Sequence, residues 1–165
     1  MSANADDLGF LEETSPLVRE IFHYWNNRRG TRAMPSRRDF DPVDLPKLLP
    51  GILLIDVVGV DEADVGQYRY RVVGTAEVAN RGHDPTGRPV VEGFFGPSRT
   101  EALRSYEAVR RGRTFLYEPL EFTTGDHRQI DEYSILLPFS EDGRNVSQIL
   151  VFSERRLRKD KGWRA

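Results

Sequence analysis

The first candidates for chemistry in this chain are three imidazoles, His23, His83 and His127, a run of arginines between residues 28 and 38, and the adjacent carboxylates Asp131 and Glu132. Imidazole can ligate a metal or move a proton near neutral pH. Guanidinium groups grip phosphate or carboxylate in bidentate fashion, and Arg32, Arg37 and Arg38 could form such a fork. Their competing role is to tie the loop to Asp39, Asp41 or Asp44, as surface ion pairs often do. Neighbouring carboxylates on a strand point to opposite faces, so Asp131 and Glu132 cannot serve one site together. The chain also has no Gly-x-Ser-x-Gly elbow and no phosphate loop. With zero cysteines, it can form no disulfide, thiolate metal site, cysteine nucleophile or thiol-linked cofactor. These residues predict a binding protein, not an enzyme.

Composition sets the outer bounds. The 165 residues, 38% of them hydrophobic, suit one domain with its own core. A balance of 24 basic against 26 acidic residues gives a net charge of −2, which points away from a dedicated nucleic-acid binder. No apolar run approaches the roughly 18 residues that a membrane span needs, and Met1 to Thr14 lacks a signal-peptide core. A cytoplasmic location is expected.

The elements that must position these residues follow from periodicity. Residues 1–13 read as a flexible leader, 14–154 as the folded domain and 155–165 as a charged tail, helical or disordered. Leu17, Val18, Ile21, Phe22, Tyr24 and Trp25 recur at helical spacing behind a Ser15 or Thr14 cap and Pro16. A short helix is expected from Asp41 to Leu49. Ile52 to Val58 and Tyr68 to Val73 form a hairpin across the turn Asp61 to Gly66. Thr75 to Arg81 is a short helix, capped by Thr75 and ended at Gly82. Ser98 to Glu101 is a capping box opening a helix with Leu103, Tyr106 and Val109 on one face. Three strands, 114–122, 129–139 and 145–152, complete the chain across hairpin turns. The fold class is α+β: a five-stranded antiparallel sheet with helices on one face and an N-terminal helix. A cavity between helices and sheet is the natural ligand site.

That order of elements, together with Tyr24-Trp25, Arg32, Pro35-Ser36-Arg37, Asp41-Pro42, Leu48-Leu49-Pro50, Tyr70 to Thr75, Gly82 to Gly87 and Leu137-Pro138, resembles a PAS-like family common in alphaproteobacteria. The similarity spans about residues 15 to 153. His83 stands where the family tends to carry arginine. The resemblance implies a stand-alone sensory or regulatory domain, a pocket on the helical side of the sheet, and homodimers formed through the N-terminal helix or the sheet surface. With few residues left over, output is expected to pass through a signalling partner.

On that reading Tyr70, Val72, Thr75, Val78, His83, Tyr106, Tyr133 and Ile135 are the pocket candidates. Arg32 and Arg37 are candidates for an anion or a partner, and Phe22 and Trp25 for the dimer helix. His83 is the one residue placed to ligate haem iron, against an ordinary role in a Gly- and Pro-rich turn. No cofactor is assigned. Lack of cysteine excludes a cysteinyl flavin adduct and a thiol-linked chromophore, and leaves a non-covalent ligand or an interaction scaffold with a pocket filled by its own side chains.

Overall fold

A computed structural model describes residues 8–158. Two helices open the chain, α1 (Phe10–Glu13) and α2 (Pro16–Arg29), followed by three 3-10 turns at Arg37–Asp39, Pro42–Asp44 and Leu49–Gly51. Then come β1 (Ile52–Val60), β2 (Gly66–Val73), α3 (Thr75–Arg81), α4 (Val90–Gly93), α5 (Arg99–Gly112), β3 (Leu116–Thr123), β4 (Gln129–Phe139) and β5 (Gln148–Leu157). The strands form one antiparallel sheet in the order β2-β1-β5-β4-β3.

Local chemistry accounts for the ends of these elements. Ser15 caps α2, its hydroxyl accepting the Val18 N–H at 3.1 Å, and Pro16 fills the first turn where no N–H is needed. Ser98 caps α5 in the same way, accepting from Glu101 N. Gly82 ends α3 with φ of 72°, a left-handed conformation that costs glycine little. Three prolines, Pro42, Pro46 and Pro50, punctuate Asp41–Gly51, and Pro46 in its interior prevents the single helix expected there, so 3-10 turns take its place.

The sheet is covered on both faces. Helix α5 packs on β3 and β4, while α2 packs on β4 and β5. The two helices meet opposite faces because side chains alternate along each strand. One face carries Tyr117, Ile135, Leu137 and Phe152, and it receives α1 and α2. Trp25 is the bolt on that side: its indole Nε1 donates to the Pro138 carbonyl at 2.8 Å, both deeply buried. Pro138 is tolerated because β3 pairing stops at Leu136, so no ladder bond is lost on that side.

Two expected boundaries change. Within the expected loose leader, residues 10–13 form α1, and Phe10 is buried, stacking on Tyr117 at 4.7 Å and meeting Phe22 edge-on at 5.5 Å. Its single aromatic ring outweighs the acidic residues around it. At the other end Arg155, Arg156 and Leu157 continue β5 instead of forming a helical or disordered tail. Arg155 and Arg156 lie directly across from Glu132 and Asp131, and such opposite-charge pairs extend a ladder. The remainder of both segments, 1–7 and 159–165, lies outside the described residues.

The burial of Phe10 predicts that Phe10→Ala lowers the unfolding free energy by about 3 kcal/mol in urea denaturation. A loss under about 0.5 kcal/mol, the range of neutral surface changes, would return residues 8–13 to a loose leader.

Candidate functional site

The second face of the sheet is where a cavity opens. Cross-strand register lays its floor in rows. Leu116, Leu136, Val151 and Leu53 stand side by side across β3, β4, β5 and β1 and form an apolar row. Two residues further along the strands the next row is Glu118, Ser134 and Ser153, and beyond it Leu120, Glu132 and Arg155. The roof is α3, the segment Phe94–Ser98 and the near face of α5. Together they enclose about 470 Å³, inside the range of small-molecule sites.

The polar floor is internally paired. Ser134 and Ser153 share a hydrogen bond of 2.8 Å. The Ser105 hydroxyl, from α5, lies 2.9 and 2.7 Å from the two oxygens of Glu118. Arg155 Nε donates to Glu132 Oε2. On the roof Arg81 donates Nη1 to Glu77 Oε2 at 2.6 Å, with only 3% and 8% of the two side chains exposed. Burial works against the charge on Arg81, but the Glu77 carboxylate outweighs it and the arginine pKa is raised. Phe95 lies between two guanidiniums, Arg81 and Arg155, each 5.7 Å from its ring centroid. Burial raises the pKa of the Tyr70 hydroxyl despite the nearby Arg81. Burial raises that of Tyr106 as well.

Helix α5 is held over this floor by Glu107. Its Oε1 accepts from Gly66 N at 2.7 Å and from the Tyr68 hydroxyl at 2.5 Å, and Arg110 Nε donates to it at 2.9 Å. Arg111 Nε donates to Oε2 at 3.0 Å. One carboxylate thereby joins α5 to the β1–β2 hairpin.

Of the pocket residues expected from sequence, Tyr70 and Tyr106 line the cavity. The others do not. A bulge sets Leu54 against Val72 and Ile55 against Tyr70, leaving Arg71 as the extra residue, so Val72 turns to the opposite face and is exposed. Thr75 is the exposed first residue of α3 and makes no cap; Gly74 holds that position. Val78 is half-buried outside the lining, its carbonyl accepting from Gly82 N. Tyr133 and Ile135 have the wrong parity: they alternate with Glu132, Ser134 and Leu136 and face α1 and α2 instead. His83 lies past the end of α3, exposed, with Nδ1 3.2 Å from the Arg81 carbonyl and away from the cavity. It is not placed to ligate a haem there. His23 and His127 are exposed too.

Arg32 and Arg37 serve the loop. Arg32 bonds to Asp39 Oδ2 at 2.9 Å and to the carbonyls of Arg28 and Arg29, while Arg37 bonds to the Phe40 carbonyl at 2.9 Å. Phe22 and Trp25 are buried against the protein's own sheet, so that face of α2 is not free for a second copy. Asp84 caps its turn, accepting from Thr86 N and Oγ1. Sequence reasoning weighed Glu132 only as half of a carboxylate pair with Asp131, and it missed Glu77, Arg81, Phe95, Glu118, Ser134, Ser153 and Arg155. The available signal was polar residues at alternate positions of otherwise apolar strands.

A cavity between sheet and helices, in this strand order, is the frame in which the comparisons with known proteins fall. A PAS domain family model matches residues 13–152. The chain belongs to the PAS domain family. Among solved structures, a light-oxygen-voltage domain studied with a flavin analogue is 12% identical with a TM-score of 0.49, covering 71% of this chain and 84% of that one. A LOV protein of Rhodobacter sphaeroides is 10% identical with a TM-score of 0.47, covering 90% of this chain and 72% of that one. The LOV domain of the blue-light photoreceptor Aureochrome1 is 11% identical with a TM-score of 0.46, covering 70% and 88%. No curated protein matches the sequence. The PAS fold supports a sensory or regulatory domain. Among the described residues no helix is long and apolar enough to cross a membrane, and no group of three or more histidines and acidic residues is arranged to hold a metal ion.

The Glu107 junction makes a pH prediction. Its carboxyl, with Arg110 beside it, is held down to about 2 from an ordinary 4.5. Its contribution to stability is therefore complete above about pH 4.5 and is lost as pH falls towards about 2. Acid titration of the unfolding free energy should show this loss, and Glu107→Gln should flatten it while lowering stability at pH 7. An unchanged acid limb in the variant would assign the loss to other carboxylates.

Proposed function

We propose that this PAS domain is a sensory module that binds a small molecule non-covalently in the cavity above β1, β3, β4 and β5. Occupancy is read out by a signalling partner or a second copy in the cytoplasm. The observation that carries this reading is the 470 Å³ cavity with one apolar and two polar rows on its floor. A pocket filled by its own side chains, as an interaction scaffold would have, does not leave such a volume. The paired polar groups hold fixed positions, as specificity for a ligand requires. The reading is one of binding: the cavity brings no histidine near its carboxylates. With no cysteine in the chain, attachment through a thiol is ruled out.

Ser134 sits at the centre of the floor, so Ser134→Phe should fill the cavity from below. Wild-type protein passed through a cell extract and examined by native mass spectrometry is expected to retain a small molecule that the variant loses, with the far-ultraviolet circular dichroism of both alike. Recovery of no bound compound, together with no extract fraction that raises the wild-type melting temperature, would sink the sensory reading in favour of a scaffold.

A further inference from the structure

A hydrogen-bond account of the buried polar groups around the cavity leaves two donors over. Ser134 and Ser153 satisfy one another, Ser105 serves Glu118, Arg155 serves Glu132, and Arg81 Nη1 serves the carboxylate and carbonyl of Glu77. The Tyr70 hydroxyl and Arg81 Nε have no partner among the described residues. Both belong to cavity-lining residues, and both are buried, Tyr70 being 1% exposed and the Arg81 side chain 3%. The two groups are neighbours, with the guanidinium carbon 5.6 Å from the Tyr70 ring centroid, yet they close no hydrogen bond of acceptable geometry with each other. Buried donors are rarely left unmade, and each such pair calls for an acceptor.

Resting on the proposed sensory reading, we infer that Tyr70 and Arg81 form a subsite for the carbonyl-type oxygen of a neutral ligand whose apolar body lies on the row Leu53, Val151, Leu136 and Leu116. The preference for a neutral acceptor over a carboxylate follows from charge. Arg81 is already neutralised by Glu77 and Arg155 by Glu132. Glu118 has hydrogen bonds from Ser105 and no ion pair among the described residues. The cavity is lined by four carboxylates, Glu77, Glu101, Glu118 and Glu132, against three guanidiniums, Arg81, Arg104 and Arg155, so an anion would meet an excess of negative charge. A carbonyl oxygen accepts from both donors and brings no charge with it.

Four probes of one shape separate the contributions: toluene, benzamide, benzoate and benzylamine. Each is titrated into the 165-residue chain, wild type and Tyr70→Phe, with amide and arginine Nε–H resonances followed by NMR. Benzamide should bind tightest, shift the Arg81 Nε–H resonance and lose about fivefold to tenfold in affinity in Tyr70→Phe, the size expected of one hydrogen bond. Toluene should bind both proteins equally. Equal binding of all four probes, benzoate ahead of benzamide, or a benzamide affinity unaffected by Tyr70→Phe would overturn the subsite while leaving the cavity reading intact. If even toluene perturbs no resonance of the apolar row, the sensory reading itself fails, and the subsite with it.

Discussion

A strand can place only every second side chain on a given face, and in this protein the two faces of β4 are claimed by different helices, α2 on one side and α5 on the other. The whole architecture depends on how β4 and β5 divide their residues. Tyr133, Ile135 and Leu137 go to the N-terminal helices, and Glu132, Ser134 and Leu136 go to the cavity. Had the cavity-side row been as apolar as its neighbour, α5 could settle onto it and close the space, since apolar surfaces gain by contact. Glu118, Ser134, Ser153, Glu132 and Arg155 instead keep polar groups under the roof, and their mutual pairing offsets the cost of burying them.

Two contacts between distant parts of the chain hold the layers around that sheet in place. Trp25 fastens α2 to β4 through its indole N–H on the Pro138 carbonyl. Glu107 fastens α5 to the β1–β2 hairpin by gathering an N–H, a phenol and two guanidiniums around a single carboxylate. The first closes the packed face and the second suspends a helix over the open one. Gly74 shows how tight the join between sheet and α3 is. A Cβ there would come within 2.3 Å of the Leu49 carbonyl oxygen and 2.4 Å of that of Pro50, so only glycine lets β2 turn into α3 at this point.

Much of this fold can be read from the sequence because it is local. The β1–β2 hairpin, the capping of α2 and α5, the Gly82 stop and the full span of β4 all follow from spacing and turn residues. What cannot be read is which face of a strand meets which helix. Ile135 and Tyr70 look like equivalent inward residues, yet they lie on opposite faces, because parity is settled only by register with neighbouring strands. Val72 fails for a related reason: one extra residue at Arg71 inverts the alternation, and a bulge carries no mark in an alternating pattern. Arg155 and Arg156 read as a solvated tail because their partners, Glu132 and Asp131, are more than twenty residues away. Arg81 reads as an ordinary helix end because the Tyr70 and Phe95 rings that bury it come from two other segments.

The two boundaries of the cavity differ in strength. Its floor is a continuous ladder through β1, β5, β4 and β3. The Phe94–Ser98 part of its roof is a short irregular segment whose Phe95 ring lies between Arg81 and Arg155 and is still 42% exposed. Cation–π contacts at partly exposed rings contribute about 0.5–1 kcal/mol each, far less than the summed ladder beneath. Both arginines that hold Phe95 also line the cavity, so the group that would meet a ligand and the group that restrains the roof are the same. A ligand shifts a conformational equilibrium only by the difference in its affinity for the two states. In this PAS domain Arg81 is positioned to supply such a difference, because it lines the cavity while its guanidinium carbon lies 5.7 Å from the centroid of the Phe95 ring.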